Sequence, residues 1–307
     1  MNCVKCPDKS VINLAYGPIA YCKKHFNESI EQRFLKNIRK NNLIRKGEGI
    51  AIAFSGGKDS TALLYLLHKH FNKSNPLTAV MIDEGYTGYR DKSIQIGKKH
   101  LKKLKVPFII KSFEKKFGFK MQDKLIELKK KKLGRNCSVC GTLRRALLNE
   151  TALELNAGKL ATGHNLDDEC QSIMMNFFQN DFTRMARLGP KNSEETSAKL
   201  IPRIKPFYSI PAAEILAYCL VNKIKHYSSD CCPASSEVKR RFYKNKLNEF
   251  EERFPGTKFG ILNFFEELKP LIKEKGEKNN AGNCISCSQP TKNLYCKKCL
   301  FLKKLAG

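Results

Sequence analysis

The stretch Ile50-Ala51-Ile52-Ala53-Phe54-Ser55-Gly56-Gly57-Lys58-Asp59-Ser60 decides the fold. Its five apolar residues predict a short buried strand, and the residues from Asp59 to about His70 predict a helix. The glycines between them allow a tight turn whose backbone N–H groups can approach an anion, and a helix N-terminus favours negative charge. Lys58 adds a cation. The pattern therefore indicates a phosphate-binding loop; a tight strand–helix turn with an incidental lysine is the alternative.

Further strand–helix units follow this loop. Apolar runs at Thr78–Ile82, Pro107–Ile110 and Lys159–Thr162 predict three more strands, and Lys92–Leu104 predicts a helix. Strands that alternate with helices form a parallel sheet with helices on both faces. Ligands of such sheets bind beyond the carboxyl ends of the strands. The predicted fold class is therefore α/β with a parallel sheet.

Composition divides the chain into three regions. Residues 1–28 and 281–307 are short and rich in cysteine, whereas residues 29–275 carry the strand–helix units. Each end has four nitrogen or sulfur ligands with the spacing of a tetrahedral structural zinc site. Segments this small cannot bury a core, so the metal would supply their folding energy. The predicted ligands are Cys3, Cys6, Cys22 and His25 in an N-terminal zinc finger, and Cys284, Cys287, Cys296 and Cys299 in a C-terminal one.

A separate group of cysteines lies in the middle region. Cys137 and Cys140 stand at a predicted helix start, and Cys231 and Cys232 lie in a later loop. Three thiolates complete only part of a coordination shell, so an iron–sulfur cluster held by three of them keeps one iron open to a further ligand. A third zinc site and a redox pair that forms a persulfide are the alternatives.

An acidic segment follows the fourth predicted strand. Asp167, Asp168 and Glu169 come directly after Gly163-His164-Asn165-Leu166. Carboxylates beyond a parallel strand can hold Mg²⁺ beside a triphosphate or move a proton. An acidic first turn of a helix is the alternative. The phosphate loop in the same chain favours the role in magnesium binding or proton transfer.

The net charge indicates the kind of partner. Lys and Arg total 57 against 29 Asp and Glu, which gives a formal charge of +28. So many like charges repel one another, and a polyanion would offset that cost by releasing its counterions. A lysine-rich solvated surface is the alternative. No apolar run approaches the roughly 20 residues of a membrane span, and the N-terminus lacks an apolar signal core, so we expect no membrane and a cytoplasmic location.

The loop Ser55–Ser60 resembles the PP-loop of ATP pyrophosphatases and lacks the Gly-x-x-x-x-Gly-Lys-Ser/Thr pattern of a Walker A loop. The terminal zinc ligands, Cys137-x2-Cys140-Gly141, Gly163–Asp168 and a late cysteine occur around it in a fixed order. With these motifs the chain resembles the TtuA/NcsA group of tRNA 2-thiouridine synthetases over essentially its whole length. The 2-thiocytidine enzymes are a poorer match, because they lack both zinc modules.

This resemblance implies a Rossmann-like PP-loop ATP pyrophosphatase domain that uses ATP and Mg²⁺ and holds a [4Fe-4S] cluster with three cysteines. By resemblance, Lys58 and Asp168 are catalytic together with the cluster ligands, and the fourth iron carries the hydrosulfide that attacks the activated base. Cys137 and Cys140 match two ligands directly, and the third is Cys232, with Cys231 as its alternative. The implied ATP-binding residues are Ala53, Phe54, Ser55, Gly56, Gly57, Lys58, Asp59, Ser60, Met81, Asp83, Gly163 and His164.

The resemblance also bears on substrate and partners. The branch that modifies U54 has a catalytic lysine where this chain has Arg144, and the pair Arg144-Arg145 resembles the branch that modifies wobble U34. We therefore expect thiolation of tRNA at U34, with both arginines contacting tRNA. The alternatives are U54 thiolation, a 2-thiocytidine or lysidine type of reaction, and a non-enzymatic RNA-binding zinc protein. Free sulfide and a ubiquitin-like carrier protein are both possible sulfur donors, and a monomer and a homodimer both fit the sequence.

Overall fold

The computed structural model describes residues 1–130, 136–191, 199–228, 232, 239–276 and 282–306, so Cys231 lies outside the described residues. The strands in this part of the chain are β1 (Ile12–Leu14), β2 (Ile19–Tyr21), β3 (Ile50–Ala53), β4 (Leu77–Asp83), β5 (Phe108–Ser112), β6 (Lys159–Ala161), β7 (Arg203–Ile204), β8 (Gly282–Asn283) and β9 (Pro290–Thr291). The helices are α1 (Lys23–Lys40), α2 (Lys58–Phe71), α3 (Arg90–Lys103), α4 (Phe113–Phe117), α5 (Leu125–Lys130), α6 (Asn136–Glu154), α7 (Leu166–Phe178), α8 (Phe182–Met185), α9 (Ala212–Val221), α10 (Lys239–Arg253), α11 (Thr257–Gly276) and α12 (Lys297–Ala306).

Strands β3 to β7 form one parallel sheet in the order β5-β4-β3-β6-β7. The chain builds this sheet outward from β3 to β5 and then crosses to the other side of β3 to form β6 and β7. Ligands of open α/β sheets bind at such a reversal of strand order, here between β3 and β6. The predicted α/β class is confirmed. The periodicity of the sequence does not predict β7, because a two-residue strand between Pro202 and Pro206 is too short to give a signal.

Side chains of the central strands alternate between two apolar cores. Ile50 and Ile52 of β3 pack with α1, α2 and α9 on one face, while Ala51 packs with α6 on the other. Strand β4 alternates in the same way, and its Met81 belongs to the first core. Because helices cover both faces, β3 is apolar along its whole length and β4 is apolar from Ala79 to Ile82. A continuous apolar run, rather than an alternating one, therefore marks them in the sequence.

Helices α7, α10 and α11 form a third core, which includes Leu247 and Phe265. A buried ion pair joins two of them, because Lys258 Nζ of α11 lies 2.5 Å from Asp167 Oδ1 of α7. The second oxygen of Asp167 accepts a hydrogen bond of 2.8 Å from the backbone N–H of Ala212, at the start of α9. The Asp167 carboxylate thus connects three helices.

Each terminal region contains a two-stranded antiparallel hairpin that precedes a helix: β1 and β2 before α1, and β8 and β9 before α12. The predicted domain boundary after residue 28 falls within α1. Helix α12 packs on α6, where Lys298 Nζ lies 2.8 Å from Glu150 Oε1 and Leu305 is buried in the α6 core. Among the described helices, none has the length and apolar character that crossing a membrane requires.

The ion pair between Asp167 and Lys258 yields a stability prediction. Lys258→Met leaves the Asp167 carboxylate buried without its cation, and we expect the free energy of unfolding to fall by about 3–5 kcal/mol. Lys246→Met is the matched control, because Lys246 pairs with Glu249 on the surface at 2.8 Å. Loss of that exposed pair should cost less than about 1 kcal/mol. Urea denaturation of both variants measures the difference, and equal losses would contradict the assigned role of Asp167.

Candidate active site

Hydrogen bonds and a close backbone contact stabilise the conformation of the loop between β3 and α2. Gly56 has φ +81°, and a Cβ at this position would lie 2.4 Å from the backbone oxygen of Ser93, so only glycine fits. Ser60 Oγ accepts a hydrogen bond of 3.2 Å from Ser55 N and donates one of 3.1 Å to Gly57 O. These contacts hold the loop in a tight turn at the N-terminus of α2, the arrangement that binds phosphate groups.

Lys58 and Asp59 lie where this loop meets the rest of the site. Lys58 Nζ is 2.7 Å from Asp59 Oδ1 and donates a hydrogen bond of 3.2 Å to the backbone oxygen of Ala212. Asp59 Oδ1 also accepts a 3.0 Å hydrogen bond from the side-chain amide of Asn165. Burial raises the pKa of Asp59, and the adjacent Lys58 opposes that shift. The Lys58 cation is thus held at the loop and near α9.

The loop after β6 reaches the same place. A Cβ at Gly163 would lie 2.9 Å from the carbonyl carbon of Asp59, so the two loops are in backbone contact. Asn165 caps α7 by accepting a hydrogen bond from Asp168 N, and Asp168 Oδ2 accepts one in return from Asn165 N. Asp168 Oδ1 lies 3.2 Å from the Arg240 guanidinium. Asp168 is therefore a capping residue whose carboxylate also faces the site.

A cavity of about 320 Å³ lies between these loops and α6. Of the predicted ATP-binding residues, seven line it: Ala53, Phe54, Ser55, Asp59, Ser60, Gly163 and His164. Asp168 lines it as well. Met81 is fully buried in the core beside α3, and Asp83 lines a separate polar cavity of about 170 Å³. The structure thus brings most of the predicted ATP-binding residues to one cavity at the strand reversal.

His164 presents its imidazole to this cavity. Its Nδ1 lies 2.9 Å from Thr162 Oγ1. Desolvation by the surrounding protein lowers the pKa of His164 to about 4; Asp168 opposes this shift, and nearby cations such as Lys205 reinforce it. The ring is therefore neutral at pH 7 and can donate or accept a hydrogen bond there without adding charge.

The central cysteines converge on Tyr86. Cys137 and Cys140 lie in the first turn of α6, and Cys232 makes a side-chain hydrogen bond with Tyr86. Burial and the neighbouring thiols of Cys140, Cys232 and Cys137 raise the pKa of Tyr86. Burial and Glu84 raise the pKa of the Cys140 thiol to about 12. Three thiols from two distant segments therefore lie close to Tyr86.

The terminal ligand sets are more compact than the central one. Within the described part of the chain, groups of three or more ligand atoms within 4.8 Å of one another occur at the two ends alone. They consist of Cys3, Cys6, Cys22 and His25 at one end, and of Cys284, Cys287, Cys296 and Cys299 at the other. Four such ligands fit a single tetrahedral ion with bonds of about 2.0–2.3 Å. Cys137, Cys140 and Cys232 do not form such a group, so their ligand atoms are not all within the distance of one another that the terminal sets show.

Comparison with known proteins identifies the family. A model of the PP-loop domain matches residues 25–251. The tRNA 2-thiolation protein NcsA of Haloferax volcanii is 33% identical to this chain over 99% of both sequences. The chain belongs to the PP-loop family of tRNA 2-thiolation proteins. Cytoplasmic tRNA 2-thiolation protein 1 of Drosophila yakuba is 33% identical over 98% of this chain and 87% of its own length.

A solved structure from the 2-thiolation family has the same fold. It is the U34-tRNA thiolase NcsA from Methanococcus maripaludis with its [4Fe-4S] cluster. The two structures agree with a TM-score of 0.84 at 29% sequence identity, over 99% of this chain and 96% of the other. The family resemblance read from the sequence motifs is therefore confirmed.

Glu84 and Arg90 are site residues that no sequence motif predicts. Arg90 is buried and donates hydrogen bonds of 3.0 Å to Ser55 O and 2.6 Å to Ile82 O. Its Nε lies 2.9 Å from Glu84 Oε2, and Glu84 Oε1 lies 3.1 Å from Arg144. Arg144 in turn lies close enough to Cys140 to oppose the rise in the pKa of that thiol. A continuous chain of charged groups therefore connects the phosphate loop with the cysteine site.

The cavity has an excess of positively charged side chains in its lining. Arg144, Arg145 and Arg203 line it. Burial and the neighbouring guanidiniums, Arg203 first, lower the pKa of Arg145 to about 10, and burial lowers the pKa of Arg203. Arg203 also escapes sequence reasoning, because it stands in no motif and approaches α6 only through the fold. Mutually repelling cations around a cavity indicate a site for an anion.

Replacing Arg203 is predicted to affect protein stability and anion binding differently. Arg203→Gln should leave the unliganded protein as stable or a few tenths of a kcal/mol more stable, because a like charge is removed. It should weaken binding of pyrophosphate or ATP about 10- to 100-fold, the value of a charge-assisted hydrogen bond. Thermal unfolding and calorimetric titration measure the two effects.

The exposed Arg253 at the end of α10 supplies the control, and Arg253→Gln should change neither quantity. A loss of more than about 1 kcal/mol of stability in unliganded Arg203→Gln would instead make this guanidinium part of the structural framework.

Proposed function

We propose that this chain is a tRNA 2-thiouridine synthetase that adenylates the C2 oxygen of wobble uridine 34 with ATP and then replaces that oxygen with sulfur. The proposal rests on one observation: Arg90, Glu84 and Arg144 connect the phosphate loop with the group of three cysteines. Full-length relatives named as 2-thiolation proteins and a U34-tRNA thiolase support the same reaction.

The phosphate loop activates the base. Backbone N–H groups of Ser55–Ser60 and the N-terminus of α2 would hold the pyrophosphate part of ATP, with Lys58 as the side-chain cation. The base oxygen forms a bond to the α-phosphorus while the bond to the bridging oxygen breaks, and pyrophosphate leaves with that electron pair. Cations and N–H groups placed around the leaving group stabilise the charge that develops on it.

Asp168 is the acidic group in this step. Its carboxylate faces the cavity, so it would bind Mg²⁺ beside the triphosphate or accept the N3 proton of the uracil as the oxygen attacks. Asp167 supports it indirectly, because its ion pair with Lys258 fixes the first turn of α7. The exposed Arg240 guanidinium, 3.2 Å from Asp168, orients the carboxylate.

The central cysteines deliver sulfur. Cys137, Cys140 and Cys232 would hold a [4Fe-4S] cluster and leave one iron without a protein ligand; Cys231 is the alternative third ligand. When bound, the cluster would supply the sulfur, taken from free sulfide or from a carrier protein. The C2–oxygen bond of the activated base breaks in this step, and the oxygen leaves as part of AMP. The charged chain from Glu84 to Arg144 keeps this site in a fixed position relative to the activated base.

The remaining features bind tRNA. The target base must leave its stack to enter a cavity of this kind. Arg144 and Arg145 would contact the phosphates that flank it, and the two terminal modules, with one zinc each, would bind the tRNA by shape and backbone. An arginine at position 144 stays charged and is a poor proton carrier, which supports U34 over the lysine-dependent reaction at U54. We further propose a cytoplasmic location, as in the named relatives.

The proposed function predicts that mutations can separate activation of the base from sulfur transfer. Lys58→Ala and Asp168→Ala should abolish both AMP formation and thiouridine, because loss of one electrostatic donor typically costs about 10²–10³ in rate. Cys232→Ala should still cleave ATP to AMP and pyrophosphate in the presence of tRNA but form no thiouridine. Nucleotide chromatography and mass spectrometry of digested tRNA measure the two products.

Controls for this experiment lie in the same chain. Lys69→Ala, on the outer face of α2, should keep both activities, and Cys231→Ala should also keep them if Cys232 is the third ligand. Normal thiolation by both Cys137→Ala and Cys140→Ala would disprove the sulfur-transfer role of this site. A thiouridine at position 54 instead of 34 would overturn the assigned position alone.

The proposed function also predicts the metal content of the protein. Protein purified without air should contain two zinc ions and one [4Fe-4S] cluster per chain, counted by elemental analysis and sulfide assay. Cys137→Ala should lose iron and keep both zinc ions, whereas Cys287→Ala should lose one zinc ion. A Cys137→Ala protein that lacks a zinc ion, prepared from an iron-free parent, would make the central site a third zinc site.

A further inference from the structure

An array of aromatic side chains lies on the surface beside α7 and α10. Phe177 and Phe178 contact each other with ring centroids 5.7 Å apart, Phe178 lies 5.9 Å from Tyr243, and Tyr243 lies 5.9 Å from Phe242. The three phenylalanines are 64%, 64% and 63% exposed. We refer to these four residues as the aromatic array.

Exposure of this kind calls for a partner. Single apolar side chains on a surface are ordinary, but contiguous ones mark a binding site, because their contact with water costs free energy that a ligand can recover. The aromatic array is contiguous, and none of its members belongs to the phosphate loop or the cysteine site. Exposed aromatic rings can stack with other flat groups.

An apolar cavity adjoins one end of the array. It has a volume of about 270 Å³ and lies between α7, α8 and α11, with Phe177, Phe182 and Leu271 in its walls. Asn176 and Asn180 also line it and offer amide groups that can donate and accept hydrogen bonds. Asp181 lines it as well, and Arg184 pairs with that carboxylate at 3.1 Å. Apolar walls combined with a few amides suit a flat heterocycle such as a nucleobase.

The charge around the aromatic array indicates which kind of molecule binds there. Lys239, Arg241 and Lys244 are exposed on α10 next to Phe242, in a chain with a formal charge of +28. A second copy of this chain docked on the same face would bring these cations against their own equivalents. A polyanion would neutralise them and release its counterions. The combination of exposed rings and exposed cations is that of surfaces that bind single-stranded nucleic acid.

The array is connected to the active site through two helices. Arg240, two residues before Phe242, contacts both Asp168 and Gln171 of α7. Asp168 and Phe178 stand at opposite ends of α7, roughly 15 Å apart at 1.5 Å per residue. One RNA loop can therefore contact the cavity at Asp168 and the array together.

We propose that the aromatic array is a stacking surface for unpaired nucleotides of the RNA substrate, and that the adjoining cavity accepts one of their bases. This inference rests on the proposed function, which makes that substrate a tRNA. The array holds nucleotides next to the target base, so that the target base itself is held unstacked at the active site. Lys239, Arg241 and Lys244 contact the phosphates between them.

The test compares two kinds of variant in their affinity for tRNA and for a single-stranded 12-nucleotide RNA. Phe177→Ala/Phe242→Ala should bind each RNA roughly 5- to 150-fold more weakly, the range for one lost stacked base. The slope of log K against log salt should not change, because no charge is removed. Arg241→Gln should instead reduce that slope by about 0.7–0.9, the value for one phosphate contact.

Two matched controls isolate stacking. Phe254→Ala removes an equally exposed phenylalanine, 59% accessible, from the far end of α10 and should bind RNA as the parent protein does. The same 12-mer without bases should bind the parent protein and the double variant equally well. Thermal midpoints within a few degrees of the parent exclude unfolding as the cause.

Two outcomes would overturn the proposal. In one, the double variant binds both RNAs as tightly as Phe254→Ala does. In the other, sedimentation shows that the parent is a dimer and the double variant a monomer with unchanged RNA affinity, which would assign the array to a second copy. Failure of the proposed function is distinguishable from both, because the parent protein would then bind RNA through the array and yet form no thiouridine.

Discussion

Backbone contact between the two loops that follow β3 and β6 is the constraint on which the site depends. Gly163 passes so close to Asp59 that no side chain fits between them, and the amide of Asn165 fastens the same contact. The N-termini of α2 and α7 therefore open into one cavity, with the phosphate loop on one side and Asp168 on the other. If these two loops were farther apart, both sequence motifs would still be present, but they would no longer form one site.

Repulsion between arginine side chains is the main electrostatic feature of the rest of the cavity. Arg145 and Arg203 repel each other, and among the described residues their side chains have no carboxylate partner that would relieve the repulsion. Arg90 and Arg144 differ, because Glu84 lies between them and pairs with both. The first pair is thus arranged to receive an anion, while the second holds the two halves of the site together. The same residue type therefore performs two different tasks within one cavity.

The sequence predicts those parts of the site that lie in contiguous motifs. The loop Ser55–Ser60 and the strands around it are readable because local backbone demands and burial on both faces determine their residue types. Glu84, Arg90 and Arg203 are not readable, since each stands alone in its segment and acquires its role from a partner far along the chain. The sequence does not predict strand β7 for a related reason, because its two residues gain their strand geometry by pairing with β6.

The packing of α12 on α6 has a consequence for how the protein is made. Lys298 and Glu150 are 148 residues apart in the chain, yet their contact belongs to the cover of the helix that bears Cys137 and Cys140. At about 5–20 residues per second, a ribosome needs roughly 7 to 30 s to synthesise the intervening segment. During that interval the outer face of α6 is uncovered in the nascent chain. The apolar core that contains Cys140 is therefore completed only after α12 has been synthesised and has packed on it.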